Sequence, residues 1–235
     1  MVHSPDSVPL QTLVSTRMQL HAIAEHVLAA ARYRAEGRIA LYVLDGGFGT
    51  QPFGEPPEQL AVLGSSLMVR TFPGTVSYPL TTLRELAGAC GVEPGGPADV
   101  YELATPLRPD EPLHVDDSAA RQIEEWLGLG DAALRSFTDT LNLEDSEPIV
   151  LWPEHFDVAT TIGECNYGCS PGDEISPEPY VNVGPHDEAR RIGSDFWNAP
   201  FGAYRTWREI SDVSAAVAFF QQGLNLFEAG QAGAR

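Results

Sequence analysis

Lysine does not occur in this 235-residue chain; all 14 basic residues are arginines, set against 33 acidic residues for a formal charge of −19. A nucleotide-binding P-loop needs its lysine and is therefore excluded. So strong a negative charge, with no arginine cluster to offset it, repels phosphate backbones and anionic membranes, and the expectation is no nucleic-acid partner. No apolar run approaches the roughly 20 residues that cross a bilayer, so no membrane partner is expected either. The opening "MVHSPDSVPLQ" lacks the basic and apolar regions of a signal peptide. With only three cysteines, that predicts a reducing, cytoplasmic setting. Two catalytic signatures are also missing. There is no G-x-S-x-G elbow, "LGSSL" having the wrong glycine arrangement, and "GGFGTQPFG" lacks the G-x-G-x-x-G spacing.

What is present is ordinary globular composition, 43% apolar and 20% charged. A chain of this length typically buries roughly 70–75% of its unfolded surface. Arginine as the only strong base, with abundant Ala, Gly and Pro, points to a high-GC bacterial genome.

The pattern along the chain predicts α+β architecture, with antiparallel sheet flanked by an N-terminal helix, a central helix pair and a C-terminal helix. The first dozen residues read as a disordered lead-in. A helix over 15–36 follows, capped by Ser15 or Thr16, striped by Leu20, Ile23, Ala24, Val27, Leu28 and Ala31, and closed by Gly37. "RIALYVL" (38–44) reads as a strand and "DGGFG" (45–49) as a turn of positive-φ glycines. "EQLAVLGSSLMVRTFPGTVSYPLTTL" suggests two or three antiparallel strands, and "LTTLRELAGACG" (80–91) a short helix ended by Gly91. Residues 92–115 are a Pro- and Gly-rich loop. Helices from Asp116–Asp117 to Leu127 and from Asp131 to Leu141 form the central pair. "EPIVLW", "FDVATTIG" and "PYVNVG" read as strands joined by the loop "ECNYGCSPGDEISPE". After a second loop, "SDFWNAPFGAYRTW", a last helix spans about 212–227. No repeat of fixed period is visible. The 92–115 loop is a weak subdivision in what reads as one domain over 1–235.

The runs "LHAIAEHVLAAARY…GRIALYVLDGGFGTQPFG" and "LWPEHFD…SPGDE…EPYVNVGP…FWNAPFGA" resemble an uncharacterised, mostly actinobacterial protein family, over about Leu20 to Phe227. The tryptophan–proline, "HFD", "SPGD" and "PY" series is similar to a broader domain of unknown function. The resemblance implies no activity. Cys165 and Cys169 depart from its pattern.

The residues that bear chemistry gather in the second half. In "LWPEHFD", period-2 alternation places His155 and Asp157 on one strand face, where they would share a metal or orient a polar ligand. The structural alternative is a His155 bonded to a carbonyl and an Asp157 capping a turn. Asp173 and Glu174, after the turn "SPG", would complete a divalent-cation site of Mn²⁺, Mg²⁺ or Ca²⁺ type, or else are a solvated acidic turn. His21 and Glu25 stand at i and i+4 on one helical face, without the order or spacing of zinc signatures. "CNYGC" reads as two free thiols in a loop, a fortuitous disulfide, or a structural zinc pair short of two ligands. The aromatic run "FWNAPFGAYRTW", with Asn198 and Arg205 as polar handles, lines a ligand pocket or closes the core.

Two function classes stay open. One is a small-molecule binder that encloses a polar or aromatic ligand between sheet and aromatic loop through Trp152, His155, Asp157, Trp197, Asn198 and Arg205. The other is a divalent-metal-dependent hydrolase built on His155, Asp157, Asp173 and Glu174, with Glu154 or Glu164 as general base. A protein-interaction subunit, which would show as an exposed apolar patch or a stable homo-oligomer, is the third reading.

Overall fold

The computed structural model describes residues 8–71, 73–141, 147–191 and 193–233, with side chains to 230. The N-terminal helix starts a turn earlier than predicted: α1 is Leu10–Ile23, with Pro9 at its N-cap. The fixed φ of proline suits a helix start, and Leu13, Thr16 and Arg17 carry the buried stripe one turn upstream of Leu20. The expected lead-in therefore shrinks. Of it, residues 1–7 lie outside the described residues, and 10–12 are helical.

The helix widens into a π-helical segment, Ala24–Ala29, before continuing as α2, Ala30–Glu36. Such segments change the helical register locally. Here Glu25 and His26, consecutive in sequence, are both fully buried. The Glu25 carboxylate accepts the N–H groups of Ala104 and Thr105 and the Thr105 hydroxyl. His26 Nδ1 accepts the Gly96 N–H at 3.0 Å, which leaves Nε2–H to donate to the Thr105 carbonyl at 3.1 Å. The irregular 92–115 loop is thus pinned to the helix rather than loose. Gly37 ends α2 at φ 69°, as its position predicts.

Five strands follow, β1 Tyr42–Leu44, β2 Gly47–Gly49, β3 Glu58–Leu63, β4 Ser66–Thr71 and β5 Gly74–Pro79. They form an antiparallel meander in chain order. In "DGGFG" only Gly46 takes positive φ, while Gly47 to Gly49 is β2, paired closely with β3. The short helix α3, Leu83–Ala89, is capped by the Thr82 side chain.

The central helix pair is replaced by one helix, α4 Asp117–Leu141. Its start matches the acidic signal, since Asp116 Oδ1 accepts the N–H groups of Ser118 and Ala119. "GLGD" does not break it. A Cβ on Gly130 would stand 2.4 Å from Cys169 Cβ, so glycine there lets the helix settle onto the sheet. That close approach outweighs the local cost of glycine in a helix, about 1 kcal/mol.

A second antiparallel meander comprises β6 Val150–Trp152, β7 Asp157–Ile162, β8 Cys165–Ser170, β9 Tyr180–Pro185 and β10 Ala203–Thr206. β8 occupies what the sequence presents as a loop. Asn, Gly and Cys are poor strand signals, but Cys165, Tyr167 and Cys169 alternate inward and are fully buried, so tertiary packing decides. Both cysteines are free, which settles the "CNYGC" alternatives in favour of separate buried thiols, in a strand rather than a loop. β10 likewise lies inside the predicted aromatic loop. The chain closes with α5, Val213–Gly233.

The two sheets meet edge to edge through one antiparallel bridge, Leu41 with Leu151. α4 packs against β1 and β2 of the first sheet and β7 and β8 of the second. A single hydrophobic cluster runs from Leu13 to Phe227 and draws on both sheets.

Candidate functional site

The site grows from the turn between β6 and β7. Trp152 pairs with Asp157 to close it, and Phe156 takes φ 52°, which an L-residue adopts at a cost. The surroundings hold it there. Phe156 is buried, stacked on His21 with centroids 5.3 Å apart and edge-on to Phe48 at 5.0 Å. His21 Nε2–H donates to the Pro153 carbonyl at 2.7 Å and lies 3.9 Å from Glu25. Burial lowers the His21 pKa, so its imidazole stays neutral and positions the turn. His155 sits in the turn, exposed, and does not share a strand face with Asp157, because the left-handed Phe156 interrupts the alternation between them.

Asp157 begins a row of side chains that crosses the second sheet. Trp152 opposes Asp157, Ser170 opposes Tyr180, and Tyr180 opposes Thr206. Asp157 and Ser170 flank the Val158–Cys169 pair, one step along the ladder. The loop after Ser170 folds back over this row. Asp173 accepts the Ile175 and Ser176 N–H groups on one oxygen and the Tyr180 hydroxyl on the other. Arg17 reaches in from α1 to the carbonyls of Pro171 and Pro177, at 3.4 and 3.2 Å. Gly172, at φ 104°, makes room for it, because a Cβ there would lie 2.2 Å from Arg17 Nη1.

Three oxygens in this region are sealed from water and have no protein partner: Tyr101 OH, Glu154 Oε2 and Asp157 Oδ1. They belong to one electrostatic group. Burial pushes the Asp157 carboxyl up to about 6, with Glu154 and Asp173 adding to the rise and His155 opposing it. Burial also raises Glu154, the nearby Glu25 contributing. The Tyr101 hydroxyl is raised by burial and by the charges of Glu25 and Glu154. Buried polar atoms are normally hydrogen-bonded, and unpaired ones with shifted titration cluster at functional sites.

The other predicted residues lie elsewhere. Glu174 is exposed, and Asp173 is bound within its own loop and to Tyr180. Among the described residues no three His, Cys, Asp or Glu side chains are grouped to hold a metal ion. β6 and β10 are opposite edges of the sheet, separated by four strand spacings of roughly 4.8 Å. Arg205 pairs with Val181 and points with it toward the helices, its guanidinium 5.8 Å from the Phe219 ring. Trp197 packs edge-on against Phe196, which in turn packs on Phe219. Asn198 holds β10 through the backbone of Tyr204. The aromatic run therefore closes the core at the far edge, and only Trp152 and Asp157 of the expected ligand set share one row.

Sequence reasoning did not find Arg17, Tyr101, Ser170 or Tyr180. Arg17 lies 154 positions from Pro171 along the chain, and nothing local marks that contact. The i, i+4 spacing of His21 and Glu25 was the one readable signal on the helix side. No model of a known protein family matches the chain, nor does any curated protein or solved structure.

Proposed function

We propose that this protein binds a small polar ligand where α1, the Tyr101 loop and the β6–β7 turn converge. The observation that carries the reading is the trio of buried, unpaired oxygens on Tyr101, Glu154 and Asp157. Leaving a buried polar group unpaired costs about 1–3 kcal/mol each, and a ligand that supplied their partners would recover that free energy on binding. Arg17 Nη1 and His21 Nε2–H donate to backbone carbonyls, which shapes the site around the three oxygens. Trp152, directly across the ladder from Asp157, gives the site an apolar wall. Binding is favoured over hydrolysis because the group contains no nucleophile–base pair, and the described side chains form no metal-binding set.

The test is retention of a small molecule. Untagged protein is incubated with a small-molecule cell extract, re-isolated by gel filtration and weighed by native mass spectrometry. A discrete added mass, lost in Glu154→Gln/Asp157→Asn, is expected. An unchanged mass in the wild-type protein rejects the reading.

A further inference from the structure

Four carboxylates face this region, and they are not equivalent. Glu25 is occupied by two backbone N–H groups and the Thr105 hydroxyl, and Asp173 by two N–H groups and the Tyr180 hydroxyl. Glu154 and Asp157 each keep a buried oxygen with no donor, and Tyr101 adds a third oxygen. A carboxylate only accepts hydrogen bonds once ionised. The group therefore calls for donors, and for positive charge.

An anionic ligand would be repelled by the two carboxylates whose oxygens stand unpaired. Arg17 places Nη1 on the Pro171 and Pro177 carbonyls, and its charge is met by Asp173 nearby. His21 spends its proton on Pro153. A neutral polyol would supply donors but leave two desolvated carboxylates uncompensated, which is costly. A divalent metal lacks a grouped donor set among the described residues. Trp152, opposite Asp157, adds an indole of the kind that favours ammonium groups.

We infer that the ligand is a protonated amine, its N–H groups shared among Glu154, Asp157 and Tyr101 with Trp152 alongside. This rests on the small-ligand reading above and specifies the chemistry of that same site.

Three four-carbon probes separate the charge classes on one skeleton: 1,4-diaminobutane, 1,4-butanediol and succinate. Binding is measured by isothermal titration calorimetry and saturation-transfer NMR at pH 8 in 0.15 M salt, where surface attraction is screened. The diamine is expected to bind saturably, at least tenfold more weakly to Glu154→Gln/Asp157→Asn. It should bind undiminished to Asp45→Asn/Glu85→Gln, which removes the same charge from exposed positions. Circular dichroism and melting of each variant confirm that it is folded. Diamine binding that survives Glu154→Gln/Asp157→Asn belongs to the acidic surface and overturns the inference, as does no saturable diamine binding at all. Butanediol or succinate bound through Glu154 and Asp157, or an extract-derived ligand without a protonated nitrogen, overturns the amine class while small-ligand binding stands. If the extract leaves no added mass either, both fall together.

Discussion

The two halves of the chain repeat one order of elements, a long helix, a five-stranded antiparallel meander and a closing helix. Their sheets are nonetheless treated differently. In the second half α4 lies across β7 and β8, and the 21-residue α5 packs on β9 and on α4. In the first half the closing helix α3 has only seven residues and packs against the π-helical segment. β5 is consequently exposed at every position but Tyr78. The contrast teaches that the meander alone makes no site. The polar group forms at the end of the second sheet, where α1, from the first half, reaches over to meet it.

If the halves are one cooperative unit joined at that contact, Phe156→Ala should be the most damaging change. Phe156 links α1, β2 and the β6–β7 turn, and its loss is expected to cost about 3–5 kcal/mol in denaturant unfolding. One transition should persist, and two separate ones would mean that the halves unfold independently. Next comes the difference in cover. Val181→Ala, in buried β9, should cost about 1.5–3 kcal/mol, whereas Val76→Ala, in exposed β5, should stay within about 0.5 kcal/mol. Equal effects would break the contrast between the sheets.

Asp157→Asn is expected to stabilise the protein above pH 7, on the order of 1–3 kcal/mol. The folded carboxyl titrates at about 6 against an ordinary value of 3.8. As pH rises through that window, the unfolded chain releases its proton first and the wild type loses stability, while the asparagine variant does not. The gain should therefore vanish by pH 4, read as melting temperature against pH. A loss of stability at pH 8 would show Asp157 to be a structural hydrogen-bonding residue, not one held in strain for a ligand.

The opposite slope comes from the helix side. Burial keeps the folded His26 pKa below its ordinary 6.5, so below that pH the unfolded chain takes up a proton that the native Gly96 contact refuses. Stability from His26 is lost as pH falls through 6.5, with Glu25 and the Thr105 carbonyl opposing the shift. The stability difference between wild type and His26→Gln should narrow from pH 7.5 to 5.5. The smallest effect is none at all. Burial pushes Cys165 up to about 11 and Cys90 to about 12, and raises Cys169 well above its usual value, so a disulfide reagent at pH 8 should label no thiol until the protein unfolds.

Much of the fold was legible. The β3–β4–β5 hairpins follow from alternating apolar residues between turn residues, and the Asp116, Gly37 and Gly91 signals each mark a real helix end. The misses share a cause. β8, β10 and the unbroken α4 are decided by what packs on them, as Gly130 against Cys169 shows, and local propensity carries no record of a neighbour far along the chain. The candidate site divides in the same way. Asp157, Glu154 and Trp152 lie within six residues and were found together, while Arg17, Tyr101 and Tyr180 are brought to them only by folding.

By itself, then, the sequence determined an acidic, lysine-free α+β chain of antiparallel strands and helices, because periodicity, turn residues and charge act over a few positions. Only the tertiary structure decided that α1 covers the β6–β7 turn and that three oxygens there are shut away from water without partners. Desolvation depends on every atom that surrounds a group, and most of those atoms come from elsewhere in the chain.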